Sequence, residues 1–455
     1  MEYLSTRNNK LRESFTDILF QGLSNDGGLY LPKEWPVIDI KTLKNKTYPE
    51  VAFDIIKPYV GGTIANDVLY EIINKTYKKF THHKIAPLKK IDSQKYILEL
   101  FYGPTLAFKD YALQFLGNLF AHLILENKKK ITILGATSGD TGSAAIEAFK
   151  GNENINVFIL HPYNKVSEVQ RRQMSTVTDK NIFNVAVDGT FDDCQNIVKG
   201  LFVDEELQNQ TSLTAINSIN WARLIAQTVY YFWAYLQLGE DKISFIVPSG
   251  NFGNIFSAHV AQKMGLPINE LRIVTNQNDI LDQIITTGQM RLSSVIQSYS
   301  PSMDIQVSSN FERQIFESVD RDSSQVKNIM NEFVKNKKYN FSEKVHGNLK
   351  EIYSSCSVSN QRTLETIKKF KNQYNYLADP HTATGLSLLE TLSSDHSFVS
   401  LACAHPAKFT DVIELAIGER PTFPSELENI FDKKEKMTIL PNSSKKIKSL
   451  ILNNI

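Results

Sequence analysis

Short runs of β-branched and apolar residues recur along this chain, and each is followed by a longer segment whose apolar residues fall at helical spacing. From about residue 130 the pattern reads ITILGAT then TGSAAIEAFKG, INVFILHP then VSEVQRRQM, and IFNVAVDG then DDCQNIVKGLF. It resumes with ISFIVPSG then NIFSAHVAQKMG, and with LRIVTNQ then DILDQIITTG. Continuous apolar runs of this length predict buried strands, and i, i+3, i+4 recurrences predict helices. Their alternation predicts βαβ units, hence an α/β protein with parallel sheets flanked by helices. Ligands of such sheets bind beyond the carboxyl ends of the strands. Those ends are where Gly, Ser, Thr and Asn concentrate.

The region before about residue 98 has a different texture. A helical pattern in NDVLYEIINKTYKKF and a Gly-rich turn in NDGGLYLP predict an N-terminal helical unit over residues 1–97. Residues 98–134 together with 236–455 are expected to form a large unit, and residues 135–235 a small α/β unit. Between about residues 290 and 375 the pattern is polar and mostly helical, with no run as strand-like as VFILHP. The lysine-rich stretches VKNKK and KKEKM read as solvated faces.

Composition narrows the function. A chain of 455 residues, 42% hydrophobic, can bury the cores of two or three structural units. The net charge of +1 lacks the basic excess that a nucleic-acid or anionic-membrane partner would favour. Cys194, Cys356 and Cys403 are odd in number and far apart in sequence, which fits a reduced, cytoplasmic location without a disulfide framework. No apolar run approaches the roughly 20 residues needed to span a bilayer, and MEYLSTRNNKLRESF has no apolar leader core. No metal site is expected, because His82, His83, His381 and His405 lack ligand spacing and no HExxH occurs.

Two Gly-rich strand-to-helix turns carry candidate chemistry, GATSGDTGSAA from Gly135 and PSGNFGNIF from Pro248. Each puts hydroxyls and free N–H groups at a helix start, which suits an anion, although the same glycines could serve the backbone alone. Neither is a P-loop or a G-x-G-x-x-G turn. In FYGPTLAFKDYALQFL, Lys109 follows a Gly-Pro turn and opens a buried helical pattern. An amine held there loses hydration of its charged form and becomes a nucleophile. Taken alone, Lys109 reads first as a helix lysine whose stem covers apolar surface and whose head pairs with Asp110. An amine plus an anion cradle plus a partner for a ring nitrogen is what pyridoxal 5'-phosphate requires.

The ordered set LELFYGPTLAFKDYALQFL, ILGATSGDTGSAA, INSINWARLIAQTVYY, VPSGNFGNIF, DPHTATG and AHPAKF resembles the threonine synthase family, as do YLSTR and LSNDGGLYLP near the start. The likeness covers nearly the whole chain. It implies a fold-type II pyridoxal-phosphate enzyme, similar to the tryptophan synthase beta subunit. The implied activity is conversion of O-phospho-L-homoserine and water to L-threonine and phosphate, by γ-elimination and β-addition of water, in a monomer or homodimer.

On the matching motifs, the resemblance implies that Lys109 is the Schiff-base lysine and, once freed by the substrate amine, a general base. Ser249, Gly250, Asn251, Phe252, Gly253 and Asn254 would cradle the cofactor phosphate. Thr137, Ser138, Gly139, Asp140 and Thr141 would grip the substrate α-carboxylate. For the substrate's own phosphate, Asn217, Ser218, Asn220 and Arg223 lie within about two helical turns, and an arginine fork matches phosphate geometry. Arg7 and Lys408 are further candidates for phosphate contacts. His381 and His405 are expected to line the site.

One position departs from the family. Cys403 stands where Thr or Ser is usual, facing the pyridine nitrogen, and a thiol is the weaker donor. Serine dehydratases of the same fold type place cysteine there, so a serine or threonine dehydratase is an alternative, distinguished by having no use for a second phosphate site. A catalytically silent homologue is the other alternative, against which the retained Lys109 and both turns argue. Asn8 also replaces a glycine common after the N-terminal arginine.

Overall fold

The computed structural model describes residues 1–127, 130–240, 242–393 and 395–455. Two twisted sheets organise it. The larger has the order Tyr353–Ser357, Ile268–Thr275, Ile243–Pro248, Ser397–Ala402, Lys95–Glu99, Leu88–Asp92. All neighbours in it are parallel except the last pair. The smaller sheet is wholly parallel, in the order Thr438–Pro441, Ile182–Asp188, Ile155–Pro162, Ile131–Ala136, Ser212–Ala215.

The apolar runs explain the centres of these sheets. Every residue of ISFIVP in Ile243–Pro248 is buried, as a strand covered on both faces requires. Each run then breaks at Gly, Ser or Asn, and the chain turns into a helix: Asp140–Phe149 after Ile131–Ala136, and Gly253–Lys263 after Ile243–Pro248. The α/β expectation with parallel sheets therefore holds.

Helix Trp221–Leu238 is buried on every side through Phe232, begins at an Asn220 cap and ends at Gly239 in the left-handed region. It joins the N-terminal region to the rest, because Tyr3, Trp35 and Tyr59 all pack their rings on Trp221. Residues 1–97 do contain the helix expected over NDVLYEIINKTYKKF, Asn66–Tyr77, and a further one, Tyr48–Val60, but share one continuous core with the larger sheet. Helix Lys109–Asn127 crosses Asp140–Phe149 at Gly117, where a Cβ would lie 2.5 Å from the Ala148 carbonyl oxygen. That close crossing couples the amine-bearing helix to the first Gly-rich turn.

Several strands escape the hydrophobic pattern, and two of them lie at sheet edges. YSSCS, inside the polar stretch, is the edge strand Tyr353–Ser357, where one side of the ladder is open and polar side chains cost little. Thr438–Pro441 pairs with Ile182–Asp188 of the smaller sheet, although sequence grouping set all residues after 236 with the larger unit. Likewise, Ile131–Ala136 lies within the smaller sheet as a whole.

Candidate active site

The carboxyl ends of four strands converge with the loop that carries Lys109. Ser249 follows Ile243–Pro248, Cys403 follows Ser397–Ala402, Thr137 follows Ile131–Ala136, and the Lys109 loop follows Lys95–Glu99. A backbone bridge between Ala107 and Ala404 and a bond from Phe108 N–H to the Cys403 carbonyl oxygen fix that loop beside Cys403.

Lys109 is 9% exposed and begins its helix. Burial lowers its pKa most; Asp140 acts against that, while Arg223 and Lys408 reinforce it. The neighbour Asp110 is not its partner: its carboxylate accepts from Thr105 N–H and Thr105 Oγ1 at 2.8 Å each, and from Gln114. Lys109 Nζ instead faces Ser302 Oγ at 3.2 Å and Asp140 Oδ2 at 3.8 Å. The amine is buried among polar and charged groups, and the Asp110 carboxylate is turned away from it onto Thr105 and Gln114.

The second turn fits a phosphate. Ser249 Oγ and Asn254 Nδ2 are buried without a partner, at the start of helix Gly253–Lys263, where N–H groups also lack helical acceptors. Asn254 Oδ1 is taken by the hydroxyls of Tyr230 and Tyr231, which aims its amide. Phe252 caps the helix in the left-handed region at φ 62°, and Gly250 packs against Met303 and Ser302 so closely that a Cβ would lie 3.0 Å from Met303 Cα. Unsatisfied buried donors cost about 1–3 kcal/mol each, so this donor set suits an anion such as the cofactor phosphate.

The first turn is more constrained. Thr137 Oγ1 accepts from Gly139 and Gly142 N–H, and Gly139 sits at φ 135° with Gln170 where a Cβ would be. Ser138 and Thr141 are half-buried beside the start of helix Asp140–Phe149. Asp140 is buried, and its carboxylate lies 2.9 Å from Lys408 Nζ and accepts from Gln170 Nε2 at 2.8 Å. Its pKa is held far below the usual range: burial opposes this, but Lys408 and Lys109 outweigh it. A carboxylate so engaged is a counter-ion for lysines, and only the rest of the turn can offer donors to a carboxylate ligand.

Arg223 is 3% exposed, and its Nε and Nη1 have no partner. Burial brings its pKa down to about 10. Of its predicted companions, Asn220 caps the helix through Ala222 N–H and donates to the Leu19 carbonyl oxygen, and Asn217 Oδ1 accepts from Ile219 N–H. Ser218 is half-buried and contacts Asn310. The other two cationic candidates have carboxylate partners: Arg7 is forked onto Glu312 at 2.9 and 2.8 Å, and Lys408 onto Asp140.

Cys403 is buried; desolvation and then Asp379 push its thiol well up, with Lys109 opposing, so it stays a neutral SH. Asp379 also orders His381, whose Nδ1–H donates to it at 2.9 Å, leaving Nε2 to accept the Ser302 N–H at 3.2 Å. His405 is held neutral, at about 4, chiefly by burial.

Three contributors were not found from sequence. Ser302 lies in the polar stretch and reaches Lys109 only through the fold. Asn310 donates to the Ser218 and Asn251 carbonyl oxygens, so it ties both phosphate candidates together. Arg313, held at about 9 by burial, bonds Asn310 Oδ1 and the carbonyls of Tyr30 and Ile219. Asn310 and Arg313 stand three residues apart at the start of helix Phe311–Ser318, a spacing that carries no chemistry of its own, and Ser302 has no sequence signal. Among the described residues no acidic, histidine and cysteine cluster could hold a metal, and no helix is long and apolar enough to cross a membrane.

Comparison with known proteins bears on the family of the chain. Residues 83–339 match the family described as pyridoxal-phosphate dependent enzyme, residues 2–77 the threonine synthase N terminus, and residues 382–451 the threonine synthase C-terminal family. The chain is 42% identical to threonine synthase of Pseudomonas aeruginosa, covering 99% of this chain and 98% of the relative. A solved structure of PLP-bound threonine synthase from Brucella melitensis superposes with a TM-score of 0.96 at 43% identity, over 100% of this chain and 99% of that one. Threonine synthase from Escherichia coli gives 0.86 at 31% identity, with both chains fully covered.

Proposed function

The chain belongs to the threonine synthase family of pyridoxal-phosphate enzymes, and from that premise we propose that its substrate is O-phospho-L-homoserine, which with water gives L-threonine and phosphate. Lys109 would hold the cofactor through its amine; Ser249, Asn254 and the N–H groups opening Gly253–Lys263 would take the cofactor phosphate; Cys403, a neutral thiol, would serve the ring nitrogen. When bound, pyridoxal phosphate supplies an electron sink conjugated to the substrate α-carbon.

Lys109 Nζ takes the Cα proton, a role suited to an amine whose burial favours its neutral form. A second proton passes from Cβ to the departing phosphate as the Cγ–O bond breaks with its electron pair going to that oxygen. Cγ then gains a proton, water adds hydroxyl to Cβ and releases its own proton, and Cα is reprotonated from Lys109. Ser138, Thr141 and the N–H groups of the first turn orient the α-carboxylate, while Arg223 holds the leaving phosphate.

The observation that carries this reading is the pair of buried, unpartnered nitrogens on Arg223. They suit a phosphate carried by the substrate, in addition to the cofactor phosphate, and serine and threonine carry none. The test is to supply purified holoprotein with O-phospho-L-homoserine and follow phosphate and threonine together. Equal release supports the proposal; no turnover, with ammonia formed from serine or threonine, would replace it with the dehydratase.

A further inference from the structure

Lys408 lies on the short 3-10 turn Pro406–Phe409 and is completely buried. Its Nζ is 2.9 Å from Asp140 Oδ1 and 2.7 Å from the Thr105 carbonyl oxygen. On the other oxygen of the same carboxylate, Lys109 stands at 3.8 Å and Ser302 Oγ at 3.4 Å. One anion thus serves two ammonium groups unequally, and Lys408 holds the short contact.

We propose that Lys408 is a positioning residue that keeps Lys109 available as a neutral amine, by taking up the Asp140 charge that would otherwise hold the proton on Lys109. The proposal rests on the reading of Lys109 as the cofactor-bearing amine. Its logic is that of competition for a counter-ion. Lys109 must lose its proton to attack the cofactor aldehyde, after which water leaves as the new C=N bond forms. A carboxylate facing Lys109 alone would oppose that loss, because an opposite charge nearby favours the charged form.

The other groups around Lys109 do not supply that counter-ion. Arg223 and Lys408 both act on it as cations, and Cys403 is a neutral thiol pushed up by burial. Asp110, the next residue, turns its carboxylate onto Thr105 and Gln114. His381 acts on Asp140 and is anchored by Asp379. Among the described residues, Asp140 is therefore the single nearby anion shared between the two lysines.

The test uses apoprotein and pyridoxal 5'-phosphate, reading the rate at which bound-cofactor absorbance appears from neutral to alkaline pH. Lys408→Met should move the midpoint of that profile up by about one pH unit or more, so that uptake near neutrality slows about tenfold. Lys408→Met combined with Asp140→Asn leaves neither buried charge unpaired and should return the midpoint to the parent value or below. A single variant with the parent midpoint, or a double variant that stays shifted, overturns the proposal; if the single variant does not fold, the double variant alone must still sit at or below the parent. Reduction of the loaded parent with borohydride separates the two levels. A tag on Lys109 with an unmoved midpoint defeats only the role of Lys408, whereas a tag elsewhere defeats the reading beneath it.

Discussion

Replacing Arg223 by methionine separates binding from stability in opposite directions. The guanidinium is buried with two unpartnered nitrogens, and desolvation alone brings its pKa to about 10. Two charge-assisted bonds to a substrate phosphate are worth about 1.5–3 kcal/mol each, so their loss predicts a fall of roughly two to four orders of magnitude in kcat/KM. In the ligand-free protein the same donors are a liability of about 1–3 kcal/mol, which methionine, of similar length, removes. At about 2.1 cal/mol/K per residue, a chain of 455 residues shifts by about 1 °C per kcal/mol. Arg223→Met should therefore melt about 1–3 °C higher than the parent while losing turnover, with its cofactor absorbance intact. Inorganic phosphate should raise the parent melting temperature and leave the variant's unchanged. Activity within threefold of the parent, or a lower melting temperature with lost cofactor, would show that Arg223 is a structural arginine.

Other substitutions probe the cradle and its supports. Ser249→Ala removes an unpartnered hydroxyl from the phosphate turn and should weaken pyridoxal phosphate binding roughly 5- to 30-fold by equilibrium dialysis, from about 1–2 kcal/mol; an unchanged Kd would take that hydroxyl out of the site. Gly117→Ala drives a Cβ to 2.5 Å from the Ala148 carbonyl oxygen and should cost about 1–3 kcal/mol in urea unfolding, so parent-like unfolding would refute the tight crossing. Burial raises the Asp110 carboxyl to about 6 despite the donors on Thr105. Its folded form then binds a proton more tightly than the unfolded form, so its contribution is full below about pH 4 and lost as pH rises through about 6. Asp110→Asn cannot ionise, and its stability relative to the parent should improve across that window by up to about 3 kcal/mol; a pH-independent difference would contradict the raised carboxyl.

Much of this architecture is legible from sequence because the strands that position the site are short apolar runs broken by Gly, Ser and Asn, as in ISFIVPSGN. The same breaks mark both anion turns, and Lys109 is conspicuous as an ammonium at the head of a buried helix. What could not be read there depends on long-range pairing. Tyr353–Ser357 is polar because it lies at an edge, and Thr438–Pro441 reaches its partner strand from far along the chain. Asp140 looks like part of a ligand-gripping turn until Lys408, 268 residues away in sequence by their numbers, is seen against its carboxylate. Arg7 is a plausible phosphate ligand by type, and only the fold brings Glu312 to it. Charge pairing between distant segments leaves no periodic trace, so the chemistry of residue types can nominate such groups but cannot assign their partners.

The most direct measurement on the account as a whole is to load the protein with pyridoxal phosphate, reduce it with borohydride so that the cofactor is fixed to whichever amine carries it, and map the labelled peptide. Two lysines share the Asp140 carboxylate, at 3.8 and 2.9 Å. The account predicts one label per chain, on Lys109, and none after Lys109→Ala, together with loss of threonine formation. A label on Lys408, or threonine formation that survives Lys109→Ala, would contradict it.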